Sequence, residues 1–135
     1  MTELTFLTIA EASRLIAKRE LSPVKLTEAC LHRIETLDSQ LDSFVTVTAE
    51  RARAEAKAAE AAIMASGPRS RLHGIPYCLK DIFDTAGVRT TAMSKLLADN
   101  VPARDSRCQE KLAAAGGVLL GKNATWEFAH GGPSW

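Results

Sequence analysis

Cysteine is scarce in this chain, and its scarcity is informative. Cys30, Cys78 and Cys108 make an odd count, and no two lie close in sequence. That argues against a disulfide framework and against Cys-x-x-Cys metal or redox chemistry. Charge of one sign is lacking too: 17 basic residues face 16 acidic ones, for a net charge of +1. Nothing in that balance favours nucleic acid or a membrane surface as a partner. No apolar run approaches the length of a transmembrane helix. The N-terminus carries Glu3 and Glu11 and has no apolar h-region, so it does not read as a secretory signal. Cytoplasmic residence is the resulting expectation. No internal repeat occurs, and the only biased segment is an Ala-rich stretch at 49–65.

What the chain has is an ordinary globular composition, 46% hydrophobic and 24% charged, over 135 residues. That length suits one domain with a real core. The first half reads as helical. Thr8-Ile9-Ala10-Glu11 is a capping box before Ala12, Leu15 and Ile16. Ser22-Pro23 places an N-cap before a proline at the first helical position. Leu26, Cys30, Ile34, Leu37 and Leu41 then form one apolar stripe, and a helix is predicted over 22–38. Phe44-Val45-Thr46-Val47 is β-rich. Residues 49–65 are strong helix formers, closed by Gly67-Pro68.

The pattern changes near residue 68. Strands are predicted near 77–81 and 117–120, with a turn at Ala86-Gly87. Asp105 is the expected cap of a helix over 106–115, ended by Gly116-Gly117. Strand, helix and strand in that order suggest a βαβ unit with parallel pairing. The fold class is therefore α/β: a helical layer over 1–67, then the start of a mixed sheet core over 68–135. Such a sheet is incomplete, since a parallel sheet is normally covered on both faces. More chain, a partner chain or a second copy in a homodimer is expected to cover it.

One residue in the predicted first strand is out of place. Lys80 follows Ile75-Pro76-Tyr77-Cys78-Leu79, and a lysine suits a buried strand poorly. It is either a surface residue or a base whose pKa burial would lower. Cys78 alternates with Lys80 on the same side, whereas Asp81 would point to the opposite face.

The run Leu72-His73-Gly74-Ile75-Pro76-Tyr77-Cys78-Leu79-Lys80-Asp81-Ile82-Phe83-Asp84 belongs to a wider pattern. Gly87-Val88-Arg89-Thr90-Thr91, Asp105, Ala115 to Lys122 and Glu127-Phe128-Ala129 follow it in order. Together they resemble the N-terminal part of the amidase signature family. The resemblance implies the opening of that family's mixed α/β core and amide hydrolysis by a Ser–cis-Ser–Lys triad. Lys80 matches the lysine of that triad, the base that acts through the bridging serine. The two serines belong to a Gly/Ser-rich segment that does not occur among these residues, so the chain alone is expected to be inactive. Burial without a carboxylate partner would suit such a base. The resemblance also marks Ala129, His130, Gly131 and Gly132 as substrate-pocket candidates. It implies a small amide substrate, no cofactor, and nucleic acid only in a tRNA amidotransferase subunit. Thr90, Thr91 and Ser94 match hydroxyl positions of a family block in which Met93 replaces a glycine. Asn123 and Ala124 replace two polar residues of another.

Other motifs carry less. Gly116 to Lys122 imitates a phosphate loop, but Asn123 stands where Ser or Thr must bind the metal ion. Glu127 and His130 lie three apart without a second such pair, so no metal site is expected. Ser134 lacks the residues that would complete a nucleophile elbow. Asn123-Ala124-Thr125 matches a glycosylation acceptor without a secretory signal.

Overall fold

The computed structural model describes residues 4–131. After a 3-10 turn at Leu4–Phe6, helix α1 spans Ile9–Ala17. The expected capping box starts it: the Thr8 hydroxyl accepts from the Glu11 N–H, and the Glu11 carboxylate accepts from the Thr8 N–H at 2.9 Å. Helix α2, Pro23–Leu41, begins as Ser22 accepts from the Lys25 N–H at 3.1 Å. It runs one turn past the predicted end and stops at Asp42, which takes a left-handed conformation. The apolar stripe buries only its N-terminal half. Leu26 and Leu31 are buried, but Leu37 and Leu41 are exposed. With Cys30, Ile34, Phe44 and Cys78 these two line an open groove of about 270 Å³.

Helix α3, Ala49–Ser66, buries Ala52, Ala56, Ala59 and Ile63 along one face. Alanines there let the helix lie close against the sheet. Three strands form that sheet in the order β1-β3-β2: β1 is Phe44–Val47, β2 is Pro76–Lys80 and β3 is Val118–Asn123. β1 pairs antiparallel with β3, and β2 pairs parallel with it, joined through helix α4, Arg107–Ala115. The expected βαβ unit is therefore present. The cap of α4 is Ser106, whose side chain accepts from the Gln109 N–H. Asp105, expected in that role, instead accepts from the Ala86 N–H at 2.7 Å and ties down the loop after β2. Among the described residues the outer edge of β2 has no strand beside it.

Two apolar clusters fill the space between layers. One joins α1, α2 and the end of α3 through Ile16, Leu26 and Ile63. The other packs Leu31, Ala52 and Ala56 against Val118 and Leu120 of the central strand. Among the described residues no helix is long and apolar enough to cross a membrane.

A bulge in β3 sets the direction of its last side chains. Tyr77 pairs with Leu119, but Cys78 pairs with Gly121, so Leu120 is one residue too many. Side chains alternate along a strand, and one extra residue moves all later ones to the other face. Lys122 is thereby turned away from the helices. Gly121 is needed because β1 passes over it: a Cβ there would lie 2.3 Å from the Thr46 carbonyl oxygen. Gly121→Ala is expected to cost about 2–3 kcal/mol of stability, the penalty of overpacking a tight site. A urea unfolding midpoint checks this.

Candidate active site

Lys80 is the last residue of β2 and pairs with Asn123. Its side chain is exposed and opens into a cleft of about 380 Å³ lined with Ala124, Thr125 and Trp126. Of the two alternatives for Lys80, a surface residue or a buried base, the structure shows the exposed side chain. It stands at the open end of the sheet, where a long flexible side chain reaches water. Cys78, on the same side, is half-buried against Leu120 and Val118. Burial pushes its thiol up to about 11, which leaves it protonated and unreactive at neutral pH.

Asp81 turns to the other face and is fully buried. One carboxylate oxygen accepts from the Thr91 N–H at 3.0 Å and from the Thr91 hydroxyl at 2.6 Å. The other makes no hydrogen bond but faces the Lys122 ammonium at 3.8 Å. Lys122 is itself 0% exposed. It donates to the Phe83 carbonyl and to the Thr90 hydroxyl, each at 2.6 Å. Burial lowers its pKa, and Asp81 and Asp84 oppose that shift. The lysine that resembled part of a phosphate loop is thus one half of a buried ion pair. The glycine before it belongs to a strand, and Gly116 to a helix end. Sequence reasoning about spacing missed this pair. Gly121, a glycine inside a strand, was the signal for the bulge that makes it.

The pair holds the long connection from β2 to α4 from two sides. Thr90 and Thr91 are consecutive and buried, one on each partner of the pair. Asn100 donates to the Thr90 carbonyl at 2.8 Å and folds the outer part of the loop back. Ser94 caps the 3-10 turn Lys95–Leu97. Two of the three matched hydroxyls, those of Thr90 and Thr91, bond the buried pair, and the third caps a turn.

Backbone strain collects in the same region. Ala92 and Met93 have φ of 50° and 55°, and Phe128 and Ala129 have φ of 49° and 57°. Such values are costly for residues with a Cβ and persist only where the surroundings impose them. The Phe128 N–H donates to the Ala92 carbonyl at 2.9 Å, so the two strained pairs are joined. Met93 sits where the family resemblance has a glycine, and its φ accounts for that preference. Met93→Gly is expected to raise stability by about 1 kcal/mol, the left-handed penalty released. Thermal unfolding of the variant measures it.

Of the expected pocket residues, Ala129 is half-buried and His130 and Gly131 are exposed beyond the 3-10 turn Glu127–Ala129. They do not line the cleft at Lys80, whose wall is Ala124 to Trp126. Gly132 and Ser134 lie outside the described residues. No group of three or more His, Cys, Asp or Glu among the described residues could hold a metal ion.

Comparison with known proteins places this geometry. The family model Amidase matches residues 25–133. The chain is 47% identical over 131 residues to a glutamyl-tRNA(Gln) amidotransferase subunit of Dehalococcoides mccartyi, covering 97% of this chain and 27% of that protein. Against the corresponding amidotransferase subunit from Azotobacter vinelandii, identity is 48% over 128 residues, covering 95% of this chain and 26% of that one. The crystal structure of native peptide amidase from Stenotrophomonas maltophilia superposes with a TM-score of 0.85 at 31% identity, over 91% of this chain and 26% of that chain. The chain thus spans about a quarter of the length of the curated relatives it matches. The match begins in α2 and runs through β2, the buried pair and the strained turn, and the chain belongs to the amidase family.

Proposed function

We propose that this chain supplies the base of an amide-cleaving site, with Lys80 as the lysine of a Ser–cis-Ser–Lys triad. The observation that carries the reading is the division of labour between two adjacent residues. Asp81 is buried and occupied by Thr91 and Lys122, while Lys80 is exposed in a cleft whose described wall carries no carboxylate. A lysine without a carboxylate partner gives up its proton more readily than a paired one.

In the proposed reaction, neutral Lys80 Nζ takes a proton from a bridging serine, and that serine takes one from the nucleophilic serine. The freed alkoxide attacks the amide carbonyl, and the C–N bond breaks as the nitrogen leaves with a proton returned through the same relay. Water then hydrolyses the serine ester. A hydroxyl needs such a base, being a weak nucleophile at its own pKa. Backbone N–H groups would hold the negative oxygen of the intermediate. Ala129, His130, Gly131 and Gly132 are proposed to reach the substrate once the serine-bearing segment is in place. Both serines lie outside these residues, so the purified 135-residue chain is expected to hydrolyse no amide. Turnover by that chain alone would overturn the expectation of inactivity, and turnover unchanged by Lys80→Ala in a protein that carries the serines would overturn the reading of Lys80.

A second reading concerns the biological setting. The relatives at 44–48% identity are subunits of amidotransferases. Their names favour a role as part of the corresponding subunit of a glutamyl-tRNA amidotransferase, beside partner chains, over a free catabolic amidase. Co-purification with other amidotransferase subunits, against a lone active amidase, separates the two.

A further inference from the structure

The buried pair has no part in the proton relay, yet one member adjoins Lys80 in the chain and the other adjoins its strand partner. Asp81 is bonded to Lys80 through one peptide link, and Lys122 is paired one place before Asn123, the strand partner of Lys80. Both are 0% exposed, so little solvent screens their charges. An isolated buried carboxylate so close would favour the ammonium form of Lys80. Lys122 stands 3.8 Å from that carboxylate and keeps the pair neutral as a unit. A pair built for the loop alone would serve equally well with hydroxyls or amides at both places, since Thr90, Thr91 and the Phe83 carbonyl are neutral partners.

We propose that Lys122 is a positioning residue for the reaction, cancelling the charge of Asp81 so that Lys80 stays free to lose its proton.

The charged groups around Lys122 are Asp81 and Asp84, both on the connection after β2. Among the described residues the cleft wall around Lys80, formed by Ala124, Thr125 and Trp126, carries no titratable side chain. Asp81, buried and next to Lys80 in the chain, is therefore the nearer of the two charges left uncompensated if Lys122 were removed, with Asp84 the other. The inference rests on the reading of Lys80 as a proton acceptor, but it is tested without amide turnover.

The test is the rate at which Lys80 is acylated by acetic anhydride at about pH 8, well below the ordinary lysine pKa, followed by peptide mass spectrometry on the 135-residue chain. Only the neutral amine attacks the anhydride carbonyl, forming an amide and releasing acetate, so the rate reports the neutral fraction. Lys57, exposed on α3, is the internal reference. Asp81→Asn, which leaves Lys122 both its acceptors, is expected to raise the Lys80 rate about threefold or more relative to Lys57. Lys122→Met is expected to lower it by a similar factor, and the double variant to return it to the original value. A Lys80 rate unmoved in folded Asp81→Asn overturns the proposal, as do shifts of the same sign in both single variants. Loss of cooperative folding in both would also overturn it, because the pair would then be a structural clamp. If only Lys122→Met fails to fold, the rise in Asp81→Asn and its reversal in the double variant decide the matter. Failure here leaves Lys80 as the base. Failure of Lys80→Ala to stop turnover would leave the charge compensation standing and remove its purpose.

Discussion

Lys80→Ala is expected to lower amide hydrolysis by about a thousandfold or more in a protein that joins this chain to its serine-bearing segment. The expectation follows from the position of Lys80 at the end of β2, facing the open cleft. Residues of one relay act as a unit, so removing the base costs nearly as much as removing the nucleophile. The loss should fall on kcat, because Lys80 is proposed to act on serine protons and not to grip the substrate. Lys80→Arg should fail as well, since a guanidinium stays protonated and cannot accept a proton. Stability should barely change, because the side chain is exposed at the open end of the sheet. Steady-state kinetics beside a thermal melt separates these effects. A variant that kept its turnover would remove Lys80 from the mechanism.

Lys122→Met, unlike Lys80→Ala, is expected to bring a large loss of stability. The side chain holds three groups at once: the Phe83 carbonyl, the Thr90 hydroxyl and the Asp81 carboxylate. Its removal leaves Asp81 buried without a counter-charge. Breaking one side of a buried pair costs about 3–5 kcal/mol. Adding Asp81→Asn to Lys122→Met should recover a good part of that loss, because the uncompensated charge goes. Urea unfolding of the single and double variants at neutral pH closes the cycle. An additive result would mean that the two charges do not depend on each other.

The two lysines show how far the sequence could be read. Helix starts were legible because their chemistry is local. Thr8 with Glu11, and Ser22 with Pro23, satisfy N–H groups within three residues of themselves. The βαβ unit was legible from apolar runs broken by Gly116-Gly117. Lys80 stood out as a lysine inside an apolar run, and its strand and direction follow from alternation. Lys122 was not legible in the same way. Counting by two from Leu120 puts it on the helix side, and only the extra residue in β3 sends it to Asp81. The end of the α2 stripe was misleading for a similar reason. Leu37 and Leu41 keep the helical period, but they border an open groove with Phe44 and Cys78 instead of a packed layer. Asp105 was a good N-cap by type, and Ser106 won because Asp105 was already bound to the Ala86 N–H across the loop. In each case the sequence set the chemistry available, and a partner distant along the chain decided its use.

Lys80 as the base of an amidase whose serines come from elsewhere is the central claim. The most direct measurement grafts residues 1–135 in place of the matching N-terminal quarter of the Dehalococcoides mccartyi amidotransferase subunit. Release of ammonia from primary amides is then followed with Lys80 and with Lys80→Ala. Turnover by the folded graft, and its loss in the variant, is the predicted result. Equal turnover with alanine at position 80 would contradict it.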